Sequence, residues 1–205
     1  TAGRGFAMPN AGPGVPMRDA AFGVTTEAEA RRDVQELAAS RPDMIKIWVD
    51  DRNGTVEKLK PNLYRAIIDE AHKRGLRVMA HIAALDDAKD LLRAGVDGFG
   101  HVVRDREIDQ ELIAMLRERP DVFFVETLWG ERRELVSGKP AWLDEPIVRE
   151  TFSAEEIRLL GEQFVPKTNV TPQESQAQER AHMRAQNNLR NIAKLRAAPR
   201  GLGPA

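Results

Sequence analysis

Short apolar runs alternate with helical patterns through the middle of the chain. The run at 44–49 is apolar except for one lysine, which is typical of a buried strand. Between such runs, apolar residues recur every three or four positions and predict helices of about three turns. The predicted strands are 44–49, 77–81, 96–102 and 122–127, and the predicted helices between them are 61–75, 86–94 and 107–117.

Strands that alternate with helices predict consecutive βα units and a parallel sheet, which is an α/β fold. Doubly wound sheets and (β/α)₈ barrels both fit this order. No G-x-G-x-x-G turn follows any of the strands, and its absence favours the barrel.

The regions outside this alternation differ in character. Residues 1–25 are rich in Gly, Pro and Ala and are predicted to be loop. Capping-box patterns at Thr26/Glu29 and at Ser153/Glu156 predict two helix starts, the first of a helix that runs to about residue 40. An irregular excursion is predicted at about 128–152, followed by a long polar helix at 171–198 and a frayed tail at 199–205.

Composition excludes several classes of protein and site. A length of 205 residues suits one large domain or two small ones. The net charge of -1 gives no electrostatic reason to expect nucleic acid or an anionic membrane as a partner, and no apolar run approaches the ~20 residues of a membrane span. We therefore expect a soluble chain, although the cellular compartment is not indicated. Cysteine is absent, so a metal would need histidine, carboxylate or a less usual ligand.

Two of the four histidines fall at matched places in the predicted sheet. His81 ends one strand and His101 ends the next. Because the carboxyl ends of parallel strands meet at one rim, both imidazoles should lie together there. Each histidine alone fits a hydrogen-bonded core position, but the pair predicts joint metal ligation.

A lysine inside the preceding strand is the third candidate. Lys46 is flanked by Ile45 and Ile47, and a buried ammonium is costly. Burial lowers a lysine pKa and exposes a neutral amine. Such an amine can react with carbon dioxide to give a carbamate, an anionic ligand able to bridge two cations. The alternative is an edge lysine whose amine reaches solvent.

Together, these segments resemble the imidazolonepropionase- and prolidase-like branch of the amidohydrolase superfamily. The resemblance covers most of residues 1 to about 127, and the helix at 171–198 has a counterpart. The motifs that carry it are Asp-Met-Ile-Lys-Ile-Trp at 43–48, Glu-Ala-His-Lys-Arg-Gly-Leu-Arg-Val at 70–78, Ala-His at 80–81, and Ala-Gly-Val-Asp-Gly-Phe-Gly-His at 94–101.

The resemblance implies a (β/α)₈ TIM barrel with one or two ions of zinc or a similar divalent metal. Lys46 would be carboxylated and bridge the ions from strand 4, and His81 and His101 would be ligands from strands 5 and 6. The metal would activate a water that attacks an amide or other C–N bond of a small molecule or dipeptide.

The chain also departs from the family pattern. The family has a His-x-His pair on strand 1, and none occurs here. It also has an aspartate on strand 8, where this chain has the Pro- and Gly-rich residues 199–205. By this alignment residues 1–198 are a partial catalytic barrel with strands 4–7, whereas a full barrel takes ~250 residues. We therefore expect the chain alone to hydrolyse poorly or not at all, and its exposed sheet edges favour a homo-oligomer.

Three further residues are candidates for contacting the substrate. Arg104 and Asp105 follow His101 and could orient a substrate carboxylate, although surface ion pairing fits them equally. Thr127, at the end of the fourth predicted strand, could line a pocket or simply pack. Two other functions remain open: a degenerate barrel that binds without catalysis, and a βα domain with no metal whose histidines coincide with strand ends.

Overall fold

The computed structural model describes residues 2–13, 15–127, 138–165 and 170–198. Within these ranges six strands form one parallel sheet with the spatial order 2-1-3-4-5-6. In chain order they are β1 (Gly5–Ala7), β2 (Ala21–Gly23), β3 (Met44–Val49), β4 (Arg77–Ile82), β5 (Gly98–Phe99) and β6 (Phe123–Phe124).

A helix follows each of the strands β2 to β5. A short 3-10 segment, Val15–Ala20, takes the place of a helix between β1 and β2. The helices are α1 (Glu27–Ala39), α2 (Pro61–His72), α3 (Leu85–Arg93) and α4 (Gln110–Glu118). The predicted α/β class and parallel sheet are therefore confirmed.

Only one face of the sheet is fully buried in the described part of the chain. Side chains alternate along a strand, and on β3 Ile45, Ile47 and Val49 are at most 1% exposed. The residues between them, Lys46 and Trp48, are half-buried, and β4 shows the same alternation. Helices α2 and α3 contact β4, so the helices cover the apolar face and leave the polar residues on the opposite one.

The strand count differs from the sequence prediction. Residues 1–25 were predicted to be loop, but β1 and β2 lie there and pair in parallel. Strands of three residues are too short to show an apolar alternation, and β1 joins the sheet through a long-range pairing of Phe6 with Ile47. The sheet therefore has six strands where four were predicted. Its order is consecutive from β3 to β6, and it is open at β2 and β6 within the described residues, so these residues do not close a barrel.

Several predicted element ends also shift. β5 and β6 are two residues long, shorter than the predicted runs at 96–102 and 122–127. Helix α4 begins three residues later than predicted because the Asp109 side chain accepts a hydrogen bond from the Leu112 amide and caps it. The two predicted capping boxes, at Thr26/Glu29 and Ser153/Glu156, are both confirmed.

The chain divides into two compact units, Thr1–Glu126 with Arg190–Ala205, and Thr127–Leu189. The second unit contains a 3-10 segment, Ala141–Asp144, and helices α5 (Pro146–Thr151) and α6 (Ala154–Glu162), and α7 (Pro172–Ala197) begins in it. Much of the predicted excursion, at 128–137, lies outside the described residues, as does the predicted tail at 199–205. No helix within the described ranges combines the length and apolar character needed to cross a membrane.

Within the first unit, Asn191 of α7 bonds to the loop between β5 and α4. Asn191 is fully buried, and its Oδ1 accepts a hydrogen bond of 2.9 Å from the Ile108 amide. Its Nδ2 donates to the carbonyls of Val103 and Arg106 at 2.8 and 2.9 Å. These bonds fix the loop between β5 and α4, which contains His101.

Replacing Asn191 with Ala should lower the free energy of unfolding by at least about 2 kcal/mol. Each buried polar group left without its partner costs about 1–3 kcal/mol, and three backbone groups lose theirs. Urea unfolding would measure the change. As a control, Asn62→Ala removes an exposed hydrogen bond to Glu27 and should cost no more than about 0.5 kcal/mol. Equal losses for the two variants would contradict the fastening role of Asn191.

Replacing Glu29 with Gln should destabilise the protein more at neutral pH than in acid. Hydrogen bonds from the Thr25 side chain, then from the Thr25 and Thr26 amides, lower the pKa of Glu29 from 4.5 to about 2. A carboxylate with a lowered folded pKa stabilises above its unfolded pKa, and this contribution is lost as the pH falls through its folded pKa.

Unfolding of the Glu29→Gln variant and the unaltered chain should be compared near neutral pH and near pH 3. The difference between them should shrink in acid. Glu36→Gln, which removes an exposed carboxylate from the same helix, controls for the loss of one charge. A difference that is as large in acid as at neutral pH would rule out the capping contribution.

Candidate functional site

The predicted ligands lie on three neighbouring strands or directly after them. Lys46 lies on β3, His81 on β4, and His101 follows β5. The His81 and His101 rings are in edge-to-face contact, with their centroids 4.4 Å apart. The two imidazoles therefore lie together, as their positions at the ends of neighbouring strands predict.

The Lys46 amine reaches the same region through space left by a glycine. A Cβ on Gly100, the residue before His101, would stand 2.5 Å from Lys46 Nζ. The amine also lies 5.8 Å from the centroid of the Trp48 ring. Gly100 therefore provides the room for the amine, which is near enough for its charge to lower the pKa values of His81 and His101.

Burial makes all three groups poor cations. It lowers the pKa of Lys46 to about 8. It also lowers the pKa of His101 to about 3, with help from the nearby charges of His81, Arg104 and Lys46. Burial lowers the pKa of His81 as well, against an opposing hydrogen bond with Asp50. Near pH 7 both imidazoles are therefore uncharged, as metal ligation requires, and part of the lysine is neutral.

Asp50 sets the tautomer of His81. Its Oδ2 lies 3.0 Å from His81 Nε2. Burial alone would raise the pKa of Asp50, but hydrogen bonds from His81 and from the Arg52 amide outweigh it and hold that pKa well below its usual range. Because a carboxylate only accepts, Nε2 must carry the hydrogen, which leaves Nδ1 as the free lone pair.

A cavity of about 320 Å³ opens beside His81. Arg104 contributes to it and places a guanidinium nitrogen 4.0 Å from Asp50 Oδ2. Lys46 and His101 are not in its lining. The lining residues are Gly12, Pro13, Trp48, Asp50, Arg52, His81 and Arg104.

The other two predicted substrate residues have different surroundings. Asp105 accepts a hydrogen bond of 3.0 Å from the Leu85 amide, at the start of α3, where the N-cap Ala84 has no side-chain acceptor of its own. This contact gives Asp105 a capping role. Thr127 is exposed and belongs to the second compact unit. Of the three predicted substrate residues, Arg104 is the one that lines the cavity.

Asp50 and Arg52 also line the cavity, and neither was predicted to be a site residue. A signal for them was present, since they follow β3 directly, at the end of the strand where parallel sheets place their ligands. The residues Asn53-Gly54 behind them are a turn signal. What the sequence did not indicate is where that turn directs the two side chains.

The metal hypothesis can be tested against the available donors. Among the described residues no three His, Asp or Glu side chains form a metal-binding group. In the part of the chain that the structure describes, Lys46 is the candidate for a third donor with His81 and His101. Its neutral amine or carbamate, with two neutral imidazoles, is a set of nitrogen and oxygen ligands that suits zinc. The chemistry of the donors fits one ion.

Comparison with known proteins places the fold. No protein-family model and no curated protein sequence matches the chain. Among solved structures, an ochratoxinase from A. niger is similar with a TM-score of 0.62 and 14% identity over 97% of this chain and 44% of its own. A prolidase complexed with N-methylphosphonate-L-proline has a TM-score of 0.57 and 16% identity over 95% of this chain and 45% of its own. A Xaa-Pro dipeptidase bound to methionine has a TM-score of 0.54 and 15% identity over 87% of this chain and 37% of its own.

These similarities define a shared fold. The chain spans less than half of the length of each of these structures. The shared part is an α/β fold with a parallel sheet.

The Lys46 amine should be acetylated by acetic anhydride at a lower pH than a solvated lysine is. The unprotonated amine attacks the anhydride and releases acetate, so the rate should rise with a midpoint near pH 8, following the lowered pKa. Peptide mass mapping after brief treatment at a series of pH values would measure it. The urea-denatured chain is the control, in which the midpoint should return to ~10.4. The same midpoint in both samples would show that Lys46 is not desolvated.

Proposed function

We propose that this chain is part of a metal-dependent hydrolase that cleaves amide or other C–N bonds of a small molecule or dipeptide. The observation that carries the proposal is the contact of two uncharged imidazoles at the ends of β4 and β5, with a desolvated lysine of β3 whose amine lies against Gly100, the residue before His101. The fold shared with an ochratoxinase, a prolidase and a Xaa-Pro dipeptidase supports it.

His81, His101 and Lys46 would hold the ion. His81 would bind through Nδ1, since Nε2 donates to Asp50; metal-ligating histidines commonly have such a carboxylate partner. Lys46 would bind as a carbamate, formed when Nζ bonds to the carbon of carbon dioxide and loses a proton. The carbamate has two oxygens, so it could serve one ion or bridge two.

The remaining residues of the site would prepare the substrate for attack. A divalent ion in such a site supplies a Lewis acid and lowers the pKa of water. Asp50 fixes the ring orientation of His81. Trp48 and Arg104 line the cavity, the first with an apolar ring and the second with a guanidinium. The cavity, with His81 in its lining, is where we place the substrate.

One observation favours a second function, that of a binding module without catalysis. The described residues offer three donors at the site, and only two of these are conventional ligands. A single ion held by so few ligands could bind a small molecule without activating water well enough to hydrolyse it.

Zinc binding tests the ligand assignment. The unaltered chain, incubated with zinc and bicarbonate and then desalted, should retain the metal, measured by mass spectrometry of the element. His81→Asn and His101→Asn should each lose it, and Asp50→Asn should weaken affinity by about 10–100-fold. His182→Gln, at an exposed position of α7, is the control and should retain zinc. Equal retention by all four variants would eliminate this metal site.

The same samples decide between hydrolase and binding module. Turnover of a panel of dipeptides and N-acyl amino acids, above that of zinc alone and lost in the His81 and His101 variants, would establish the hydrolase. Zinc retained with no turnover would instead support the binding module and count against catalysis by this chain.

A further inference from the structure

The turn that follows β3 presents an asparagine and a glycine to solvent. Asn53 is the only asparagine in the sequence that a glycine follows, and both residues are exposed. A Cβ built on Gly54 would meet no atom within 4 Å. Glycine leaves the backbone nitrogen that follows an asparagine uncrowded and mobile. An Asn-Gly pair is therefore the sequence in which that nitrogen attacks the asparagine side chain most readily.

The backbone of this turn has a conformation that most residues avoid. Arg52, Asn53 and Gly54 have φ values of 49°, 60° and 79°. The left-handed conformation is sterically unfavourable for residues that have a Cβ, although asparagine tolerates it better than most. The attack requires rotation of the Asn53 backbone to bring the Gly54 nitrogen to Asn53 Cγ. Because the starting conformation is a strained one, this rotation is not opposed by a deep local minimum.

The hydrogen bonds that close the turn do not use the amide nitrogen of Gly54. The Thr55 and Val56 amides donate to the Asp51 carbonyl at 2.9 and 3.1 Å. The Thr55 hydroxyl donates to the Arg52 carbonyl at 3.0 Å. Across the described ranges the Gly54 amide has no backbone acceptor outside regular helices and strands. The nitrogen that would attack is therefore available.

A second exposed asparagine of the same chain provides a contrast. Asn10 is also left-handed, with a φ of 61°, and it is exposed as well. The residue after it is Ala11, whose amide donates to the Met8 carbonyl at 3.0 Å. Ala11 is only 5% exposed. The two asparagines are thus matched in conformation and exposure, and they differ in the nitrogen that follows them.

We propose that Asn53 is a site of spontaneous deamidation, and that its conversion to isoaspartate releases Arg52 from the cavity lining. The Gly54 nitrogen gives up its proton and bonds to Asn53 Cγ, while the Cγ–Nδ2 bond breaks and ammonia leaves. One water then opens the resulting five-membered imide at either carbonyl, which gives aspartate or isoaspartate. The reaction needs no enzyme, metal or oxidant, so it is independent of the proposed hydrolase function.

Isoaspartate would change the turn in two ways. It adds a carboxylate where a neutral amide was, and it lengthens the main chain by one methylene. Arg52 directly precedes the modified residue and lies in the cavity lining. Its amide donates to Asp50 Oδ1 at 3.0 Å, and its guanidinium donates to the Gly12 carbonyl. A longer main chain cannot close the same turn, so these two bonds should be lost.

Ageing of the folded chain tests the modification site. After incubation in mildly alkaline buffer, cleavage behind lysines releases the peptides 1–46 and 47–58, which contain Asn10 and Asn53 as their only asparagines. Asn53 should convert on the order of tenfold faster than Asn10, because its attacking nitrogen belongs to a glycine. Mass spectrometry would measure the gain of close to one dalton, and isoaspartyl methyltransferase would detect isoaspartate. Near-ultraviolet circular dichroism would check that the aged chain is folded. Equal rates at the two asparagines would overturn the proposal.

Hydrogen exchange tests the release of Arg52. The Arg52 and Thr55 amides should exchange on the order of tenfold faster in the aged chain than in the fresh chain, because their hydrogen bonds are lost. The Ala11 amide, outside this turn, should be unchanged. The matched control is Asn53→Gln aged in the same way, since glutamine would have to close a six-membered ring and does so far more slowly.

Two results would contradict the release of Arg52. The first is isoaspartate at position 53 with unchanged exchange of the Arg52 and Thr55 amides. The second is an equal rise in exchange in the aged Asn53→Gln variant, which would assign the change to another part of the chain.

Discussion

The register between β3 and β4 is the constraint on which the site depends. Lys46 lies beside Met79 and Trp48 beside His81, so the polar side chains of both strands share the face that the helices leave uncovered. The intervening residues are apolar and pack against the helices. A slip of one residue would reverse both faces and bury Lys46 among helices. The free energy gained by burying Ile45, Ile47 and their neighbours on β4 therefore also places the candidate ligands.

That stabilisation supports a local environment that is unfavourable by itself. Lys46, His81 and His101 are basic groups gathered with little solvent, and each has its pKa lowered by burial. Desolvation of these basic groups costs free energy. A face that served only to pack would avoid that cost by carrying residues such as leucine and valine. Regions where local rules of stability are broken inside a consistent fold are commonly functional. The unfavourable side chains and the favourable ones alternate along the same two strands.

The sequence predicted the parts of the fold in which a repeating pattern is long enough to be seen. Each of four elements is long enough for its apolar residues to show a regular spacing: β3, β4, α1 and α2. Helix α1 also begins with a capping box that can be read from the sequence. β1 and β2 span three residues each, and only their pairing in space defines them. The same limit applies to the site. His81 and His101 follow from a rule about strand ends. Arg52 reaches the cavity lining through a left-handed turn, and Asp105 caps α3 through the Leu85 amide, which only the folded chain brings near.

Asp50 joins the two halves of the site. One of its oxygens accepts from His81 and the other from the Arg52 amide, so one carboxylate orients a candidate metal ligand and also holds the turn that presents the arginine. The candidate metal ligand and the turn that follows β3 are thus not independent features. A change at Asp50 would alter both the hydrogen bond that sets the tautomer of His81 and the backbone contact that holds Arg52 in the cavity lining.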